Sequence, residues 1–140
     1  MATYGEPDLA PFELGWPGPM RDRLVAAVLA GAKTCTCSLH ALYVGQDEAL
    51  PVVGQRSLLL GSGDERIAVV ETTNVSLVRM ADVDDRTAQA EGEGFRDARD
   101  WRDAHEAFWS EQLAGIPGGD AITLDDDTII VVEYFRLVHP

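Results

Sequence analysis

The longest hydrophobic pattern in the chain, RIAVVETTNVSLVRM (66–80), is rich in Val, Ile and Thr and predicts a long strand. TIIVVEYFRLV (128–138), entered through the acidic turn DDD, predicts a second strong strand. LPVVGQRSLLL (50–60) is apolar with a turn at Gly54, GSGDE (61–65) reads as a hairpin-like loop, and TCTCSLHALYV (34–44) reads as extended. Two other stretches repeat at helical spacing. In PMRDRLVAAVLAG, Met20, Leu24, Val25, Val28 and Leu29 lie opposite Arg21, Asp22 and Arg23; Pro19 suits the first turn and Gly31 the stop. DARDWRDAHEAFWSEQLAG (97–115) is the clearest amphipathic helix, with Asp97 as cap, Trp101, His105, Phe108 and Gln112 on one stripe, and Gly115 at its end. ADVDDRTAQAEGEG (81–94) predicts a short helix, capped by Asp82, that breaks at the glycines.

Five or six strand segments with two or three helices among them do not alternate as a doubly wound sheet would. The pattern predicts an α+β domain, a small mixed and partly closed β-barrel with helices on its rim. The 140 residues suit one core, so residues 12–140 read as a single domain and 1–11, rich in Pro, Gly and acid, as a flexible arm. No apolar run approaches the roughly 20 residues of a membrane span. The N-terminus lacks a basic region followed by an apolar one, so the expected location is cytoplasmic.

Charge narrows the partners. The net charge of −13 disfavours long nucleic acid, whose binding needs many cation–phosphate contacts. It leaves room for a small nucleoside or a short single-stranded end. Cys35 and Cys37, two residues apart on an extended segment, make no disulfide framework and read as core thiols. CTCSLH lacks the four ligands of a zinc site, so neither metal nor cofactor is expected. P-loop, GxGxxG and GxSxG patterns are absent.

Lys33 is the only lysine beside ten arginines. Arginine replaces lysine wherever a surface charge suffices, but not where an amine must lose a proton. Thr34, Thr36 and Ser38 alternate onto one strand face. A hydroxyl becomes a useful nucleophile only beside a base, and Lys33 meets Thr36 only if it still belongs to the turn before the strand. In AEGEG, Glu91 and Glu93 flank a glycine that lets the backbone approach closely, and either could orient the lysine or move a proton. Trp101, His105 and Phe108 read as core or as the wall of a stacking pocket. Glu71 and Glu133 interrupt apolar strands, facing solvent or pairing with a buried arginine such as Arg136.

Five blocks then add up in order: LVAAVLAGAKTCTCSL, LPVVGQ, VVETTNVSLV, AEGEGFRDARDWRDAHEAFW and IIVVEYFRLV. Together they resemble the ASCH domain family, from about Phe12 to Val138, with Gly31, Lys33 and Thr36 filling its G-x-K-x-x-[ST] pattern. The resemblance implies a PUA-like barrel and an RNA-linked role. Small bacterial members are amidohydrolases that deacetylate N4-acetylcytidine through a lysine, a threonine and a glutamate. Carried over, these fall on Lys33, Thr36 and Glu93, with Glu91 the other choice of carboxylate. Thr34, Glu91, Trp101 and His105 are then expected around the substrate. The alternative is a non-catalytic RNA-binding module or a weak ribonuclease in the same cleft, since the EGEG…W…H block looks more like a longer type of member. A protein-interaction domain, with the acidic surface as its contact, is a third class.

Overall fold

A computed structural model describes residues 9–138 of the chain. Five strands, β1 (Ala10–Phe12), β2 (Cys35–Leu39), β3 (Arg56–Leu60), β4 (Arg66–Arg79) and β5 (Ile129–Val138), form one sheet in the order β1-β3-β4-β5-β2. β1 runs parallel to β3, and every other pair is antiparallel. The sheet curls into a half-barrel with four α-helices, α1 (Pro19–Leu29), α2 (His40–Gly45), α3 (Asp85–Ala90) and α4 (Ala98–Ala114), among the described residues. The architecture is the expected α+β one. No helix of the described residues is long and apolar enough to cross a membrane.

β5 shows why its sequence reads as nearly continuous apolar. Ile130 and Val132 pack with Leu39 against Trp101, Trp109 and Leu113 of α4 and Ala88 of α3. Phe135 packs in a second cluster with Leu24, Val25 and Val28 of α1. The strand is covered on both faces, so alternation does not mark a wet side. β4 carries a register shift between Thr72 and Asn74 against β5, which bends the long ribbon. β2 is an edge strand of the sheet, and residues 36–39 of it line the cavity described below.

The structure corrects the sequence reading at five places. The extended stretch expected over 34–44 ends at Leu39, where the chain turns into α2. Leu39 and Leu42 join the same core cluster, and a three-residue spacing reaches one side only when the chain coils. The helix expected over 81–94 is only α3, preceded by a 3₁₀ turn at Met80–Asp82 that buries Met80. Its cap is Asp84, not Asp82: the Asp84 carboxylate accepts from the Thr87 N–H at 2.8 Å. On α4 the buried stripe is Trp101, His105, Trp109 and Leu113, so Phe108 and Gln112 lie at its border. The arm expected over 1–11 is shorter than that: Ala10 and Pro11 already pair with Ser57 and Leu58. Pro11 sits on a sheet edge, where its missing N–H costs nothing, and the Phe12 ring meets Phe135 at 5.2 Å. Residues 1–8 of that arm lie outside the described residues. Glu71 accepts from both Arg56 and Arg136, whose guanidinium is exposed rather than buried.

Candidate active site

Two glycine turns packed against each other build the site. α1 is followed by its cap Ala30 and then Gly31, whose φ of 82° reverses the chain. The N–H groups of Ala32 and Lys33 both return to Ala27 O at 3.0 Å, which holds Lys33 in the turn before β2. Glu91 caps the C-terminus of α3, and Gly92 follows with a φ of 70°. A Cβ on Gly92 would stand 2.6 Å from the C and O of Ala32 and the N of Lys33. Only glycine lets the two turns touch. The Thr34 N–H donates to Ala90 O at 2.9 Å and completes the clasp.

This clasp predicts a contrast between two neighbouring glycines. Gly92→Ala combines a left-handed backbone with a clash against main chain and should cost about 2–4 kcal/mol. Gly94, at a φ of 86°, has nothing within 4 Å of its Cβ position. Gly94→Ala should cost only about 1–2 kcal/mol. Urea denaturation of both variants checks this; equal losses would disprove the clasp.

The clasp puts Lys33 beside Glu91, and both side chains are almost wholly buried. Lys33 Nζ donates to Cys35 O at 2.8 Å, to Glu91 Oε1 at 3.2 Å and to Glu91 O at 3.4 Å. Three acceptors match the three protons of an ammonium. Glu91 Oε2 accepts from Trp101 Nε1 at 2.6 Å and from His105 Nε2 at 3.1 Å. The other His105 nitrogen, Nδ1, donates to Trp101 O at 2.9 Å. Both ring nitrogens therefore face acceptors, which favours the imidazolium. Burial alone would raise the Glu91 carboxyl, but the His105 hydrogen bond, the Lys33 charge and the Trp101 N–H hold it at about 2. Burial opposes the His105 charge, yet Glu91 raises its pKa above the ordinary value.

Glu93 sits differently. Its carboxylate is 4.0 Å from Lys33 Nζ and partly exposed. Burial pushes its pKa up, Lys33 offsets part of that, and Glu91 adds to it. A carboxyl in this state can hold and deliver a proton.

A cavity of 740 Å³ opens over this cluster, within the range of small-molecule sites. Lys33, Thr36, Glu91, Glu93 and His105 line it. Sequence reasoning also expected Thr34 and Trp101 there. Thr34 is exposed and does not line the cavity, because β2 begins one residue later and its backbone serves the clasp. Trp101 is completely buried behind Glu91 and acts on the site through its indole N–H, its carbonyl and its stacking on His105. Lys33 does belong to the turn, but its protons go to Cys35 and Glu91 rather than to Thr36. Between the two glutamates, Glu91 is the one in direct contact with Lys33.

Several cavity residues escaped the sequence reading. Trp16, from the GWPGP turn, is 40% exposed and packs on Phe108 with ring centroids 5.2 Å apart. Its neighbouring prolines marked a turn and hid its role as a wall. Tyr43 meets Ser38 at 3.2 Å, and Arg23 lies exposed at the rim. One oxygen or nitrogen each from Glu91, Glu93 and His105 lies within 4.8 Å of the others, a spacing that suits an ion. The Lys33 ammonium already stands 3.2 and 4.0 Å from those two carboxylates, so a metal would compete with a resident cation.

The architecture recurs in known structures. A DUF984 protein of Enterococcus faecalis V583 is 30% identical, with a TM-score of 0.81 over 92% of this chain and 76% of that one. An ASCH domain from Lactobacillus crispatus JV V101 is 25% identical, with a TM-score of 0.81 over 92% of this chain and 79% of that one. No curated protein matches the sequence. The ASCH domain family matches residues 13–139, nearly the whole of the chain. The five sequence blocks, the half-barrel and this match agree, and the chain belongs to the ASCH domain family.

Proposed function

We propose that the cavity binds a modified nucleoside, or the end of a short single-stranded RNA, and hydrolyses an acyl amide on its base. The observation that carries this reading is the convergence of Lys33, Thr36 and Glu93 on one 740 Å³ cavity. The Trp16–Phe108 pair offers a face on which a base can stack. Arg23 at the rim gives a phosphate or ribose a partner, and the net charge of −13 keeps the footprint short. Thr36 Oγ attacks the amide carbonyl, and Glu93 delivers a proton to the leaving nitrogen. The Lys33–Glu91–His105 cluster sets the field at the site. Because Lys33 is bound as an ammonium, it acts by charge and position rather than as the base that a lone lysine first suggests.

Incubating purified protein with N4-acetylcytidine and, separately, with short oligoribonucleotides tests the reading. Release of cytidine and acetate, lost in Thr36→Val, is the expected result. Cleaved or merely bound RNA with no deacetylation would replace it with the nuclease or binding-module alternative. That alternative draws on the same saturated ammonium, and its affinity should fall as salt rises.

A further inference from the structure

Thr36 needs a proton acceptor, and Lys33 is engaged elsewhere. The sheet supplies another group. In the β2–β5 pair Thr36 lies directly opposite Glu133. Directly opposed residues of an antiparallel pair share a face, with Cβ atoms about 4.5–5.5 Å apart. Both residues line the cavity. Glu133 is 7% exposed, between buried Val132 and half-buried Tyr134 in the chain. Its Oε2 accepts the Thr72 hydroxyl proton at 2.6 Å. Thr72 is itself fixed, through its N–H to Gln55 O at 2.9 Å, at the register shift of β4. Among the described residues Oε1 has no hydrogen-bond donor, and since no buried side-chain oxygen lacks a partner, Oε1 opens to the cavity. A carboxylate held this way in an apolar strand costs stability, and among the described residues its one hydrogen-bond partner is the neutral Thr72 hydroxyl. Burial raises its pKa and the Thr72 hydrogen bond offsets part of that, the direction a general base needs.

We propose that Glu133 is the general base for Thr36, one carboxylate oxygen steered by Thr72 and the other taking the hydroxyl proton. The inference takes from the reading above that Thr36 is the nucleophile. As the bond from Oγ to the carbonyl carbon forms, the Oγ proton passes to Glu133. The C–N bond breaks with its electron pair on nitrogen, which takes a proton from Glu93. Water then attacks the acyl ester and gives its proton to the Glu93 carboxylate. Thr36 Oγ leaves and recovers a proton from Glu133, so both carboxyls return to their starting states.

The probe that tests this without the natural substrate is p-nitrophenyl acetate. Acetyl transfer to Thr36 Oγ releases p-nitrophenolate, and peptide mass mapping locates the adduct. The full chain should be acetylated at Thr36, and Glu133→Gln should slow that step by about 10²-fold or more. The glutamine keeps the shape and still accepts from Thr72, so circular dichroism should report an unchanged fold. Glu133→Asp keeps a carboxylate and should retain more of the rate than the amide. No adduct on Thr36 in the wild type, a wild-type rate in Glu133→Gln, or an aspartate no better than glutamine would overturn the proposal. Glu133-dependent acetylation without deacetylation of N4-acetylcytidine would keep Glu133 as the base and remove the amidohydrolase reading. Deacetylation that survives Glu133→Gln unchanged would do the reverse.

Discussion

Glu91→Ala should destabilise the fold by about 3–5 kcal/mol, the loss seen when one partner of a buried ion pair is removed. The alanine would leave the Lys33 ammonium, 2% exposed, with carbonyl acceptors only. It would also strip the carboxylate from His105 Nε2 and from the Trp101 indole N–H. Glu91→Gln keeps an acceptor in place and should lose less, although Lys33 and His105 still lose their nearest negative charge. Urea denaturation at neutral pH should rank the proteins wild type, Glu91→Gln, Glu91→Ala. An alanine variant within about 1 kcal/mol of wild type would show that the cluster is not a structural hub.

The same cluster gives a pH signature. The Glu91 carboxyl is depressed to about 2, below its unfolded value of about 4.3. Its contribution is present above that unfolded value and is lost as pH falls toward 2. His105 is raised, so its contribution is whole below its unfolded value of about 6.5 and is lost as pH rises through the folded one. Glu93 and Glu133, raised by burial, work the other way: their penalty is relieved as pH falls through their folded values. The difference between wild type and Glu91→Ala removes the Glu133 contribution and leaves of Glu93 only the part that Glu91 causes. It should be largest between about pH 4.3 and 6.5 and shrink on both sides.

How much of this was legible follows from the range of each interaction. β4, β5 and α4 were readable because their patterns are long and their packing repeats along them. Gly31 and Lys33 were readable because a helix stop is a local signal. α2 was not, because six residues carry too few periods to separate a helix from a strand. The choice between Glu91 and Glu93 was beyond spacing alone. Gly92 reverses the chain between them, and only its contact with the Ala32–Lys33 peptide decides which carboxylate turns inward. Glu133 was visible as an oddity in an apolar strand. Its partner was not, because the facing of Thr36 depends on the register of two strands far apart in sequence.

Lys33→Arg should lower the proposed turnover by about 10²–10³-fold, although it keeps the charge, as expected when a preorganised donor is displaced. The ammonium is held by three acceptors at 2.8, 3.2 and 3.4 Å in a space closed to solvent. A planar guanidinium presents its donors as a fork and cannot meet the same three oxygens. It is also larger, and overpacking there should cost about 1–3 kcal/mol, since Glu91 is pinned by Trp101 and His105 and cannot retreat. The displaced fork would push toward Glu93, the carboxyl assigned to the leaving group, 4.0 Å from the present amine. Denaturation separates the two effects: a variant that remains folded at assay temperature but does not release cytidine has lost the arrangement, not the fold. A module that uses Lys33 only as a cation for phosphate would accept arginine and keep its RNA affinity. Wild-type kcat in Lys33→Arg would therefore mean that charge alone suffices at this position, and the single lysine would have no chemical reason to differ from the ten arginines around it.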